Sequence, residues 1–174
     1  VAAFQDPRVL RAIQSGARQA IAVTMVQWTG PALQIQVLPW TLVNDVATAH
    51  AFAAAIAATP RRLFSGGTSI SGVIDYAVPL ILESPFQGTR RVIDISGDGS
   101  NNRGRPAASA RDDAMRAGIV INGLPILALE PDLKRYFSDH VIGGPGAFVI
   151  AAESYETFAD AIIKKLIREM AANE

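Results

Sequence analysis

Apolar and polar residues alternate along this chain with two different periods, and each change of period marks an element. Segment 4–16, FQDPRVLRAIQSG, opens a helix with Asp6 as cap and Pro7 at the first helical position, and Gly16 stops it. The run 21–28, IAVTMVQW, is β-branched and mostly apolar, which predicts a buried strand. After the turn GPA, residues 33–40, LQIQVLPW, alternate as a half-exposed edge strand does. Residues 45–58 are Ala-rich and helical. A polar break at 65–69, SGGTS, leads into a helix near 70–83. RRVIDIS (90–96) predicts a third strand, and a helix over 106–117 stops at Gly118. IVINGLPIL (119–127) predicts a fourth strand, PDLKRYFSDHV a short helix, and AFVIAA (147–152) a fifth strand. In the final helix, with Ser154 as N-cap, Phe158, Ile162, Ile163, Leu166, Ile167 and Met170 recur at helical spacing.

Strands separated by helices predict an α/β fold with a mostly parallel central sheet and helices on both faces. The link after residue 28 is too short for a crossover, so 33–40 is expected as a single antiparallel edge strand. Such sheets bind ligands at the carboxyl ends of their strands. Two Gly-rich loops, 65–69 and 96–104, fall there. The first opens a helix and the second follows a strand.

Composition narrows the field. With 174 residues and 49% hydrophobic content, the chain suits one domain with a real core. Sixteen basic and sixteen acidic side chains balance, which argues against nucleic acid or an anionic membrane as the main partner. Without cysteine there are no disulfides, thiolate metal sites or Cys nucleophiles. No apolar stretch is long enough to span a bilayer, and the first residues do not read as a signal peptide.

The segment 92–106, VIDISGDGSNNRGRP, poses the chemical question. As a dinucleotide loop it has Asn102 where the third glycine belongs and Asp98 where a pyrophosphate would approach. No Walker A lysine motif exists. As a calcium loop it has Arg103 at the glycine position and Ser109 at the bidentate-glutamate position. No G-x-S-x-G is present. His50 and His140, the two histidines, sit in helices away from these loops and read as surface or packing residues. What survives is a hard-cation site built from hydroxyls and carboxylates, because magnesium takes oxygen ligands and keeps several waters. Thr68 and Asp98 suit it.

At these residues the chain resembles a family. FSGGTSISGVIDYAV followed by RRVIDISGDGSNN is similar to the second and third loops of the metal-ion-dependent adhesion site of von Willebrand factor type A (vWA) domains. The wording VIDISGDGSNNRGRP…NGLPI…VIGGPGAF further resembles a mainly bacterial subgroup usually made with a signal peptide. The resemblance implies a Rossmann-like vWA fold over residues 1–174, with Thr68 and Asp98 as metal ligands and Mg2+ (or Mn2+ or Ca2+) as the ion. Around them, Ser65, Gly66, Gly67, Asp94, Ser96, Gly97, Asn101 and Asn102 are expected to bind ligand or support the loops. Each also has a plainer reading. Ser65 and Ser96 cap turns, Asn101 and Asn102 brace the loop, and Asp94 hydrogen-bonds backbone or an arginine. The pairs Arg61–Arg62 and Arg90–Arg91 read as solvated flanks, and Trp28 and Trp40 as packing.

One departure from the family pattern matters. The motif Asp-x-Ser-x-Ser ends the family's first strand, and this sequence starts inside or just before the helix that follows it. DISGD (94–98) only imitates the motif, since Thr68 precedes it. The domain is therefore expected to lack its first central strand, leaving a slot between 21–28 and 90–96. Upstream chain, a second copy or a partner would fill that slot. The expected function is a non-enzymatic, cation-dependent protein-binding module, periplasmic or secreted, whose partner presents a carboxylate to the ion. The alternatives are a metal-assisted hydrolase, for which Asp94 is the one plausible base, and a scaffold with a vestigial site.

Overall fold

The computed structural model describes residues 1–171 of the chain. Helices α1 (Ala2–Gln5) and α2 (Pro7–Ser15) are separated at Asp6, whose side chain accepts from the backbone of Arg8 and caps α2. Strand β1 (Ile21–Trp28) turns back through Gly30 into β2 (Gln34–Val43), antiparallel to it. Asp45 and Thr48 form a reciprocal capping box on α3 (Val46–Ala58). Ser69 caps α4 (Ile70–Leu82), which is followed by β3 (Val92–Gly97) and α5 (Ala107–Arg116). Strand β4 (Val120–Pro125) pairs with β3 in parallel, with Asp94 opposite Asn122 and Gly97 opposite Pro125. The chain closes with α6 (Leu133–Tyr136), a wider π-turn over Phe137–Val141, and α7 (Phe158–Ala171).

The architecture is α/β, but the strands form two pairs rather than one central sheet: β1 with β2, and β3 with β4. The expected fifth strand, 147–152, is not a regular strand. It runs beside β4 through two parallel bridges, Gly123 to Val149 and Ile126 to Ala152. Between β1 and β3 lies a cleft of about 990 Å³, walled by Val23, Met25 and Trp28 on one side and Ile93 and Ile95 on the other. A Cβ built on Gly97 would stand 3.4 Å from the Trp28 ring, so the carboxyl ends of β1 and β3 meet across the cleft. The cleft corrects the expectation of a buried β1. All eight of its residues are only half-buried, because one edge has no neighbouring strand among the described residues.

Two cores flank this cleft. Ile70, Ile74, Ala110, Ala114, Ile93, Ile95 and Ile121 join α4 and α5 to the β3–β4 pair. Val9, Ile13, Val43, Phe52, Leu166 and Met170 join α2, α3 and α7 to the β1–β2 pair. Helix α4 is also tied to β2, since Tyr76 Oη accepts from Gln36 N (3.3 Å) and Trp40 Nε1 donates to the Leu80 carbonyl (3.3 Å).

Three further expectations are corrected. Helix α7 starts at Phe158 rather than after Ser154, whose amide instead donates to Thr157 Oγ1. Arg90 is no solvated flank. Its Nη1 donates to the Glu169 carbonyl, and its buried Nη2 has no partner among the described residues. Asp94, mid-strand, turns away from the loop after β3 and pairs with Lys165 of α7, a fully buried lysine. Lys165 also reaches Glu169 (3.3 Å), which accepts from Asn122 Nδ2 (3.3 Å). Desolvation first, and then the Asp94 charge, push the Glu169 carboxyl up to about 7, against the pull of Lys165.

Candidate functional site

The loop after α3 and the loop after β3 meet at the carboxyl ends of β1 and β3. The first is fixed by close backbone approach. A Cβ on Gly30 would lie 2.5 Å from the Gly66 carbonyl oxygen, and Gly66 and Gly67 both take positive φ (116° and 82°). Ser69 N donates to the Thr29 carbonyl (2.7 Å), tying the loop to β1.

Asn102 clamps the second loop to the first. Its amide donates to the Thr68 carbonyl (2.9 Å), and its Oδ1 accepts from Thr68 N (2.9 Å). Asn101 Oδ1 accepts from Ser71 N (3.1 Å), and its Nδ2 donates to the Arg105 carbonyl (3.1 Å). Arg105 bridges Asp75 of α4 and Asp113 of α5, whose hydrogen bonds, and then their charges, hold its guanidinium pKa above the usual value. Both asparagines therefore brace the loop. Ser65 is exposed at the tip of the first loop, and Ser96 is exposed on the cleft wall, one residue before Gly97.

Within this frame Thr68 and Glu130 come to the loop that carries Asp98. A Cβ on Gly99 would lie 3.6 Å from Thr68 Oγ1 and 3.4 Å from Glu130 Oε1, so both oxygens flank that glycine. Asp98, its chain neighbour, accepts a hydrogen bond from the Tyr155 hydroxyl. That bond raises the Tyr155 pKa above its ordinary value, and Arg61 works weakly in the other direction. Glu130 accepts from Ser100 N (3.1 Å to either oxygen) and Ser100 Oγ (3.3 Å). Sequence reasoning missed Glu130 and Tyr155. The signal that could have found them is topological, since both follow runs that end at the same edge of the sheet.

The donors are all hard oxygens, the type magnesium and calcium take. Among the described residues no group of three or more His, Cys, Asp or Glu side chains converges on one point. Thr68 and Asp98, with Glu130 nearby, fit a hard cation that keeps waters or takes further ligands from elsewhere. They do not form a complete cage.

The fold has known relatives. BatB from Bacteroides thetaiotaomicron superposes with a TM-score of 0.54 at 19% identity, over 95% of this chain and 87% of BatB. A von Willebrand factor type A protein from Catenulispora acidiphila gives 0.58 at 16% identity, over 97% of this chain and 38% of that one. Proximal thread matrix protein 1 from the mussel byssus, with a zinc-occupied MIDAS motif, gives 0.55 at 16% identity, over 85% of this chain and 34% of that one. At such identities the likeness establishes a shared vWA-type fold. The sequence matches no curated protein. The model of a family described as a protein of unknown function, DUF1194, matches residues 1–174, and the chain belongs to that family.

Proposed function

We propose that this domain is a divalent-cation-dependent protein-binding module, with Thr68 and Asp98 as its own ligands to the ion. The supporting observation is that the Thr68 hydroxyl reaches the loop of Asp98 at the strand-end crevice, held there by the two-bond clamp from Asn102. A bound cation would supply an incompletely neutralised positive charge to which a partner carboxylate is attracted. The chain's own residues do the rest. Thr68 and Asp98 offer oxygens, Asn101 and Asn102 fix the loop, and Ser100 holds the Glu130 carboxylate in place. The same geometry disfavours hydrolysis, because Asp94 is engaged by Lys165 away from the crevice.

The cleft between β1 and β3 belongs to this reading. An extended strand from chain preceding Val1, lying between them, would end at the crevice and bring the ligands that Thr68 and Asp98 leave open. A periplasmic or secreted location is also part of the proposal. Among the described residues no helix is long and apolar enough to cross a membrane. The test is calorimetric titration, with MgCl2 and MnCl2, of the chain extended upstream by its own natural sequence. Heat that saturates in the wild type and vanishes in Asp98→Ala supports the module. Identical titrations for the two proteins overturn it.

A further inference from the structure

Away from the crevice, a group of reactive side chains is buried where β3, β4 and α7 meet. The Lys165 side chain is 1% exposed, and its Nζ is in contact with Asp94 Oδ1. Glu169 stands one helical turn further on, 11% exposed, with Oε2 3.3 Å from the same Nζ. Asn122 fixes that carboxyl. Its Nδ2 donates to Glu169 Oε2 (3.3 Å), while its Oδ1 accepts from Phe148 N (3.1 Å). The Phe148 ring lies on another side, its centroid 5.7 Å from Nζ.

A buried ion pair alone contributes little net stability, because each charge gives up its hydration. Three features set this one apart from a pair that only holds two elements together. The amine is fully buried, and a second carboxyl reaches the same nitrogen. That second carboxyl also keeps a proton, since burial first and then the Asp94 charge push it up to about 7. An amine, a carboxyl carbon one bond from the contact, and a proton donor beside both are the groups that an amide condensation takes. The chain has no cysteine, so a disulfide cannot lock α7 to the sheet.

We infer that Lys165 and Asp94 are a cross-linking site, at which the chain joins α7 to β3 by an amide bond between Nζ and Cγ. A proton passing from Nζ to Asp94 turns the ion pair into amine and acid with no net change of charge. The amine attacks Cγ, the new C–N bond forms, and the C–OH bond breaks. Glu169 gives its proton to the departing hydroxyl, which leaves as water, and takes one from the nitrogen. Amine and acid become amide and water, so no oxidant, reductant or cofactor enters. The pair stands unreacted in this structure. Asp94, 34% exposed, lines the cleft, where water favours ions over a neutral pair. The strand that the proposed reading lays in the cleft covers Asp94 and removes that water. The inference takes only this covering from that reading and none of its cation ligands.

The experiment is intact-mass spectrometry of the chain extended upstream by its own natural sequence, followed by tandem mass spectrometry of its tryptic digest. The expected mass is lower than that of the sequence by one water. The digest contains a branched peptide joining Lys165 to Asp94, with no cleavage after Lys165. Lys165→Arg and Asp94→Ala keep the full mass, and Glu169→Gln lowers the dehydrated fraction at least tenfold. Segment 1–174, with its open cleft, shows a dehydrated fraction at least tenfold below that of the extended chain. The wild-type mass decides by itself, so the result does not hang on whether a variant folds. Full mass in the extended wild-type chain after prolonged incubation overturns the inference. So does an amide mapped to Glu169 instead of Asp94, an unchanged fraction in Glu169→Gln, or water loss that persists in Lys165→Arg, which marks a succinimide at Asp98–Gly99. The covering strand fails separately. Equal fractions in the two lengths of chain, with the amide mapped to Lys165 and Asp94, keep the cross-link and remove the strand from it.

Discussion

Asp98 spends its carboxylate on one hydrogen bond from an exposed tyrosine, and this sets what its replacement costs. Asp98→Ala should leave the melting temperature within about 2 °C of wild type, since a group in an exposed loop contributes little to packing. Cation and partner binding should be lost with it. A large drop in a thermal melt would mark Asp98 as structural. The Tyr155 bond competes with any cation for the same carboxylate. Tyr155→Phe removes that competitor and keeps the ring, so magnesium should bind more tightly. The gain is about fivefold, for a net hydrogen bond of about 1 kcal/mol, read by calorimetry. Unchanged or weaker binding would show that Tyr155 positions Asp98 rather than masks it. The two Gly-rich loops that carry Thr68 and Asp98 were legible in the sequence, because each has a recognisable place in the order of elements. Glu130 and Tyr155 were not, because the topology alone brings them to loops 30 and 57 residues away in the chain.

At the scale of elements, α7 departs most from its own sequence pattern. Its apolar stripe was legible, and Ile163, Leu166 and Met170 are buried as that stripe requires. Lys165 and Glu169 lie outside that stripe on the same helix, yet both are buried. Their partners, Asp94 and Asn122, come from strands more than forty residues upstream, so no local pattern could have shown it. Replacing Lys165 by Met should cost about 1–3 kcal/mol in denaturant unfolding, because the buried lysine's hydrogen bonds are lost while Asp94, about a third exposed, keeps part of its hydration. Glu169 makes the element sensitive to pH. Its folded pKa, about 7, is raised above the ordinary carboxyl value of 4.5, so the folded state holds the proton more tightly than the unfolded chain. The stability this contributes is complete below pH 4.5 and is lost as pH rises through 7. The upper bound is about 3 kcal/mol, reduced in practice because Lys165 stays near the ionised form. Melting temperature should therefore fall between pH 5.5 and 8, and Glu169→Gln should flatten that slope. A parallel slope in the variant would move the effect to another group. The 147–152 run was legible as extended chain but not as a bridged segment. Its partner β4 also bonds to Gly143 and Phe148, and this breaks a regular ladder.

For the whole molecule, the alternation of strands and helices was legible, and so was the antiparallel return of β2. Whether the strands close into one sheet was not, because hydrogen bonding between non-adjacent strands depends on what lies between them. Here β1 and β3 face each other across the cleft with apolar walls and backbone edges that have no ladder partner among the described residues. Such edges are templates for another strand, and buried backbone groups left without partners are costly. In the proposed reading, one strand preceding Val1 satisfies both edges and supplies the ligands that Thr68 and Asp98 lack. Segment 1–174 by itself should then bind magnesium or manganese weakly, because two protein ligands displace few of the waters that magnesium holds tightly. It should also self-associate as its concentration rises. Amide exchange at the cleft-facing edges of β1 and β3 should be fast in this segment. It should slow when the chain is extended upstream by its own natural sequence, while metal affinity rises at least tenfold and self-association disappears. Equal, tight metal binding by the two lengths of chain, with unchanged exchange along β1 and β3, would show that Thr68 and Asp98 need no ligand from the cleft and that the cleft is not a strand site.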